Sequence, residues 1–376
     1  MKNKKLIFFV INKKVIDVFL NNHIEKLTKE YHISFISSEY SKKLNINNQE
    51  YVNNFVNLKR SFNIFNFISN CFNTLKIIIH QKPNLIISIH PKNGLILSSL
   101  KYFYKFSFLH IVTGQIWSNK KGFKKFIFKF FDKFLFTKSN YLLADSKMQI
   151  KFLNTEGFDK FNITCIKNGS ICGVNTNIYN ASIINKKKFF LQNKISPETK
   201  LILYVGRINY SKGILILLES FKYLTQKYNY KLKLIIIGDD EINFRNILNF
   251  KYPFLLDKVI LKNHTTRTPF FYSVSDIFCL PSFREGFGMS VIEASSSRIP
   301  VVISDIYGLS DSIINNHTGI KFKSGNTNDL TSKLKYLLDN PKLVKEFGKN
   351  GRQFVKKNFD YKMVNNFLYN YLKKII

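Results

Sequence analysis

The chain has 376 residues, 45% of them hydrophobic, which is enough for two domains with separate cores and too apolar for a disordered protein. Its formal net charge of +34 points to an anionic partner, yet only seven of its 58 basic residues are Arg, the side chain best suited to bidentate phosphate and base contacts. Lys, Asn, Ile and Phe are over-used together along the whole chain, so the excess charge reads as solvated surface; a membrane is its natural beneficiary, and nucleic acid is set aside as a partner.

The sequence opens on Met1-Lys-Asn-Lys-Lys and the apolar run Leu6–Ile11. That run is short, Asn12-Lys-Lys follows it, and no small-residue cleavage site is present, so a first buried strand is expected rather than a leader. Further strands are predicted at Ile33–Ile36, Leu85–Ile89, Phe108–Val112, Tyr141–Ala144 and Ile163–Ile166. The second half offers Lys200–Val205, Leu232–Ile237, Lys258–Leu261, Ile277–Leu280 and Pro300–Ser304, and then a turn at Asn316-His-Thr-Gly319 before a short strand. Helix-compatible segments separate these runs, which predicts an α/β protein of two doubly wound parallel sheets, covered on both faces. The polar stretch Asn180–Thr199 marks the boundary, giving domains at 1–185 and 186–360, with a final helix over 361–376. Two such domains facing across a cleft would hold ligands at the carboxyl ends of their strands.

Four scattered cysteines without CxxC spacing indicate a reduced, cytoplasmic protein. No window approaches 18 uncharged apolar residues, so no span of the bilayer is expected. Between Lys120 and Phe134, however, Phe123, Phe126, Ile127, Phe130 and Phe134 fall on one helical face and Lys121, Lys125 and Lys129 on another. Such a helix either packs its apolar face into the core with a solvated basic back, or lies in an anionic headgroup layer.

Three turns in the second half carry chemistry. In Val205-Gly206-Arg207 with Lys212-Gly213, a glycine exit from a buried strand is followed by two cations that could neutralise a diphosphate without a metal. Ile237-Gly238-Asp239-Asp240 reads as a strand-end turn, since one acid pair without partners is a weak metal site. In Pro281-Ser-Phe-Arg-Glu285-Gly-Phe-Gly288-Met-Ser-Val-Ile-Glu293, two acids eight positions apart flank a glycine turn at a helix start, where free amides suit a phosphate.

This order of motifs resembles the retaining GT-B glycosyltransferases of family 4, strongly over about Lys200 to Leu338 and more loosely elsewhere. The resemblance implies a nucleotide-diphosphate sugar donor, taken as UDP-linked, no cofactor and no required metal. Carried onto this chain, Glu293 would bind the ribose and Glu285 the transferred sugar. The backbone at Gly206 and the segment Gly286, Phe287, Gly288, Met289 and Ser290 would hold sugar and phosphate, and Arg207 and Lys212 the diphosphate. The last helix would return to the first domain.

The first half is similar to enzymes of bacterial O-antigen, capsule and glycan assembly that extend undecaprenyl-diphosphate-linked sugars. It offers His90, Lys92, Thr113 and Gln115 as acceptor contacts, which would place the protein at the inner face of the cytoplasmic membrane. His90 stands open between acceptor contact and core, Trp117 between surface and packing, and His110 reads as structural. Two departures from the family pattern stand out: Asn12-Lys13-Lys14 replaces its first glycine-rich turn, and the loop after Phe108–Val112 lacks its usual His. Competing readings are a nucleotide-sugar 2-epimerase of the same architecture and a catalytically silent nucleotide-sugar or membrane-binding subunit.

Overall fold

The computed structural model describes residues 4–58, 63–181, 183–228 and 230–376. The basic start Met1–Asn3 and one residue of the polar boundary stretch, Ser182, lie outside the described residues. The chain forms two compact units, Met1–Gly173 with Tyr361–Ile376, and Val174–Asp360.

The first unit is built on an eight-stranded sheet of order β3-β4-β2-β1-β5-β6-β7-β8. Its strands are β1 Lys4–Phe9, β2 Tyr31–Ser37, β3 Lys43–Ile46, β4 Gln49–Phe55, β5 Leu85–Ile89, β6 Phe108–Val112, β7 Tyr141–Ala144 and β8 Ile163–Cys165. All run parallel except the edge strand β3, which pairs antiparallel with β4. In β1, Leu6 and Phe8 pack into one apolar layer while Ile7 and Phe9 pack into the other, the period-two pattern of a strand covered on both faces. The β3–β4 hairpin carries no continuous apolar run, which is why the sequence pattern passes over it. Its signal is Asn47-Asn48, both at positive φ (51° and 62°), as a tight hairpin turn demands.

The second unit holds a six-stranded, wholly parallel sheet of order β11-β10-β9-β12-β13-β14. These strands are β9 Lys200–Val205, β10 Leu232–Ile237, β11 Val259–Lys262, β12 Ile277–Leu280, β13 Val301–Ser304 and β14 Gly319–Phe322. Every residue of β12 and β13 is buried.

The division between units falls before the polar stretch, at Gly173/Val174, because residues 174–180 are tied into the second unit. Val174 donates its amide to Phe359 O at 2.8 Å. Arg352, only 8% exposed, donates to the carbonyls of Thr176, Tyr179 and Ser296. A guanidinium is the one side chain able to satisfy several buried carbonyls at once. The final helix, Tyr361–Ile375, belongs instead to the first unit, where Val364, Leu368 and Leu372 complete the layer under β1 and β5. We expect Arg352→Met to lower stability by roughly 3 kcal/mol, because three carbonyls lose a buried donor. Equilibrium urea unfolding measures this, and an unchanged midpoint would show that the carbonyls find other donors.

Candidate functional site

In each sheet, chain order reverses direction at one place, and open α/β sheets bind ligands outside the carboxyl ends of the strands there. In the second unit that point lies between β9 and β12. The loops leaving those two strands are Gly206–Gly213 and Pro281–Gly288, the two strongest motifs of the sequence.

Glycines let these loops touch backbone to backbone. A Cβ on Gly213, at φ +67°, would sit 2.0 Å from Pro281 O. One on Gly238 would sit 1.9 Å from Gly206 O, and one on Gly308 would sit 2.0 Å from Glu285 O. No side chain fits at those separations, so the loops after β9, β10, β12 and β13 close on one another only with glycine in place.

The charges then meet in a fixed order. Lys212 Nζ lies 2.6 Å from Glu285 Oε1, with the two side chains 16% and 13% exposed. Ser282 Oγ donates to the same carboxylate oxygen at 2.8 Å. Arg207 pairs with Glu241 at 3.1 Å, and Asn209 donates to Glu241 at 2.8 Å. Asn209 also caps the turn, accepting the Lys212 amide at 3.1 Å. Beside them Arg284 is partly buried. Burial holds its guanidinium below the usual range, nearby Tyr307 and Glu285 oppose that shift, and the Arg207 charge adds to it. Lys212 and Glu285 are therefore in direct contact, while Arg207 stands in a separate pair with Glu241 and close enough to act on Arg284. Glu241, Ser282 and Arg284 join them without having stood out in the sequence; Ser282 and Arg284, inside the acidic motif, sat where a signal could be read.

The helix Met289–Ser296 starts at Gly288, which has φ +76° and offers no side-chain cap, so its first-turn amides and positive dipole end face the loop. Phe287 turns the other way. It is buried against Phe359, ring centroids 5.1 Å apart, so only its backbone is available to a ligand. Glu293 accepts a hydrogen bond from Tyr272 Oη at 2.9 Å. Burial pushes its carboxyl up to about 7, against the lowering effect of hydrogen bonds from Tyr272 and Tyr179. Neither tyrosine carries a sequence signature.

Asp240 is the strand-end turn that the pattern indicated, accepting the amides of Ile242 and Phe244 at 3.1 and 2.9 Å. Among the described residues no group of three or more His, Cys, Asp or Glu stands together as a metal site.

In the first unit the reversal lies between β1 and β5. Asn93, fully buried, bridges their carboxyl ends by donating to Phe9 O at 2.9 Å and Ile89 O at 3.0 Å. His90 takes φ +83°, an uncommon conformation for a non-glycine residue, and stays half-buried at the strand end. Lys92 follows in the same turn, and its partial burial lowers its ammonium pKa. Where the first glycine turn is missing, Asn12 caps the chain and Glu39 takes the Lys13 amide at 2.9 Å.

Thr113 is half-buried, whereas Gln115 is 2% exposed and spends its amide on Thr113 O and Gln149. Gln115 therefore shapes the loop from within. Trp117 is packed, stacked on Phe152 and Phe158 with its indole N–H on Asp132 at 2.7 Å. His110 is buried beside Ser88, its Nδ1 2.8 Å from the hydroxyl, with its pKa depressed to about 3 by burial and by the neighbouring His90.

With this geometry in view, comparison with known proteins is direct. Residues 185–354 match the family described as glycosyl transferases group 1. The capsular polysaccharide biosynthesis glycosyltransferase CapM of Staphylococcus aureus is 29% identical over 68% of this chain and 67% of its own length. The N,N'-diacetylbacillosaminyl-diphospho-undecaprenol alpha-1,3-N-acetylgalactosaminyltransferase of Campylobacter jejuni is 28% identical over 61% and 57%. Other curated relatives are matched over about half their length, 49% in one uncharacterized glycosyltransferase of Haemophilus influenzae. Among solved structures, a sucrose-phosphate synthase of Thermosynechococcus elongatus superposes with a TM-score of 0.85 over 99% of both chains at 15% identity. Anabaena HepE in complex with UDP-glucose superposes at 0.78, over 98% of this chain and 99% of its own, at 14% identity. Residues 185–354 of this chain are thus similar to the glycosyl transferases group 1 family. The two parallel-sheet units together have the GT-B glycosyltransferase fold.

We expect Gly213→Ala to cost about 1–3 kcal/mol, since a Cβ must move either the turn or Pro281. The same displacement should loosen the Lys212–Glu285 pair. Thermal melting checks the first effect, and an unshifted transition would mean that the loop contact is dispensable.

Proposed function

We propose that the protein is a retaining glycosyltransferase that moves a hexose or N-acetylhexosamine from a nucleotide-diphosphate sugar to a lipid-linked glycan. The setting is surface polysaccharide or glycan assembly at the cytoplasmic membrane face. The observation that carries this reading is the cluster of Arg207, Lys212, Glu285 and Glu293 around a helix start at the strand-order reversal of the second unit. The named activity of the Campylobacter enzyme supports the acceptor class, that of CapM supports a setting in surface polysaccharide assembly, and the UDP-sugar complex of HepE supports a uridine nucleotide.

The charges suit the reaction. A diphosphate leaving group gains negative charge as the glycosidic bond lengthens, and Arg207 and Lys212 stand ready to take it. Their present partners, Glu241 and Glu285, hold them in place beforehand, so little side-chain entropy remains to be lost on binding. Glu285, released from Lys212 by the incoming diphosphate, is free to accept hydroxyls of the sugar. Glu293 accepts the ribose hydroxyls, and amides from Gly286 to Ser290 hold the sugar and the phosphate. The front-face route asks for no protein nucleophile; the leaving phosphate takes the acceptor proton. His90, Lys92 and Thr113 line the acceptor end, at the carboxyl edge of the first sheet, and Gln115 supports it. No metal is assigned to this reaction, and turnover should withstand EDTA.

Ribose hydroxyls donate, so they prefer ionised Glu293. With the carboxyl near 7 in the free protein, donor binding should tighten as pH rises through 7, by about tenfold between pH 6 and 8. Titration calorimetry with UDP-glucose, whose phosphates stay ionised over that range, reads this directly. Glu293→Gln should flatten the dependence, and a flat wild-type profile would remove Glu293 from the ribose.

Lys212→Ala should lower kcat roughly 100-fold with a smaller change in donor affinity, since its charge acts mainly on the developing leaving group. Mass spectrometry of products from a panel of UDP- and GDP-sugars with a short-chain lipid diphosphate acceptor tests the activity itself. Hydrolysis or epimerisation without a glycan product would favour the epimerase reading.

A further inference from the structure

The helix Gly122–Lys138 is turned inside out relative to a core helix. Its lysines Lys125 and Lys129 face the protein, paired with Glu156 at 2.7 and 2.8 Å and lying over the Trp117 ring. Leu135, Phe136 and the Trp117-bonded Asp132 share that inward side. The opposite face carries Phe123, Phe126 and Phe130, which are 75%, 67% and 60% exposed. Of that face, Ile127 and Phe134 are half-buried, Phe134 stacking on Tyr102, while Phe123, Phe126 and Phe130 stay exposed.

A second exposed apolar face stands nearby in the same unit. The helix Ile64–Gln81 exposes Ile64, Phe65, Ile68 and Phe72, all in its first half. Both helices pack against the helix Pro91–Leu100 between them. Each connects parallel strands, β4 to β5 and β6 to β7, and each ends close to the start of its next strand. Their first halves therefore lie toward the carboxyl edge of the sheet, the edge that also carries His90, Lys92 and Thr113. Lys121 and Lys124 are exposed at the start of the second helix.

We propose that the first halves of these two helices form one docking surface for an anionic lipid bilayer, with the phenylalanines seated at the headgroup–acyl boundary. Charge selects the occupant. A second copy of a chain with net charge +34 would be repelled, whereas an anionic headgroup layer is complementary to Lys121, Lys124 and the overall field. Aromatic side chains backed by lysines are the composition of an interfacial helix. The proposal rests on the lipid-linked acceptor read above and deepens it, because it sets the bilayer at the same sheet edge as the acceptor contacts.

The test is co-sedimentation of the full chain with vesicles of phosphatidylglycerol and phosphatidylcholine, compared with phosphatidylcholine alone. Wild type should bind the anionic vesicles preferentially. Phe123→Glu with Phe126→Glu and Phe130→Glu, and separately Phe65→Glu with Ile68→Glu and Phe72→Glu, should each weaken binding at least about tenfold. Since all six side chains are exposed, both variants should melt as wild type does, and turnover of a short, water-soluble acceptor should persist. Unchanged binding in either variant would overturn the two-helix surface. So would wild type that forms a dimer which the variants abolish, with equal binding to neutral vesicles. Loss of turnover on the soluble acceptor in wild type would instead count against the proposed reaction and leave the vesicle result standing by itself.

Discussion

The contact of Gly213 with the carbonyl of Pro281 sets the geometry of the second unit's carboxyl edge. A Cβ at Gly213 would lie 2.0 Å from that oxygen. The loops leaving β9 and β12 can therefore meet only as backbone against backbone, and Lys212 and Glu285 are delivered to each other as a consequence. Gly238 against Gly206 and Gly308 against Glu285 repeat the device for the loops after β10 and β13. Four loops are thus positioned by three absent side chains rather than by a large apolar interface. A polar site gains from this arrangement, because its charged groups are located without the apolar bulk that would fill the space a ligand needs.

The electrostatics follow from that close approach. Lys212 and Glu285 are largely withdrawn from water, where a lone charge would be costly, and each supplies the other's counter-charge. Glu293 meets the same problem with no cation. Burial raises its pKa toward neutrality, and tyrosine hydroxyls only partly offset this. One motif thus contains two acids in different electrical states, an ion-paired one near the cations and a hydrogen-bonded one beyond the helix start.

Much of this was legible in the sequence because strand runs and glycine turns are local signals. The continuous apolar runs of β5, β6, β9, β10 and β12 name themselves, and the glycine–acid turn after β12 has few other readings. What escaped depends on tertiary placement. The β3–β4 hairpin alternates polar and apolar residues at a sheet edge and offers only Asn47-Asn48 as a mark. Glu241 and Tyr272 matter because the fold brings them to Arg207 and Glu293, which no spacing rule conveys. Phe287 belongs to the motif by position yet points into the core, and Gln115 lies in a loop at the carboxyl edge of its sheet yet is buried. A motif fixes which backbone segment approaches a ligand more securely than it fixes where each side chain goes.

The orientation of the Gly122–Lys138 helix is the sharpest instance. Helical periodicity alone separates its phenylalanines from its lysines but cannot say which group faces inward, since hydrophobicity argues for one orientation. The deciding residues lie elsewhere in sequence. Glu156 attracts Lys125 and Lys129, and the flat indole of Trp117 lies beneath both ammonium groups. Cations lying over an aromatic face and closed by a carboxylate form a satisfied polar layer. With the inward side filled in this way, the aromatic side is left to solvent or to a partner. Three exposed phenylalanines on one helix forgo several kcal/mol of burial, at roughly 1.5–3 kcal/mol for each side chain. A lipid interface would recover part of that burial without further change in the fold. Because the helix starts at the carboxyl edge of the sheet, any membrane it met would lie on the side of the unit that carries His90, Lys92 and Thr113.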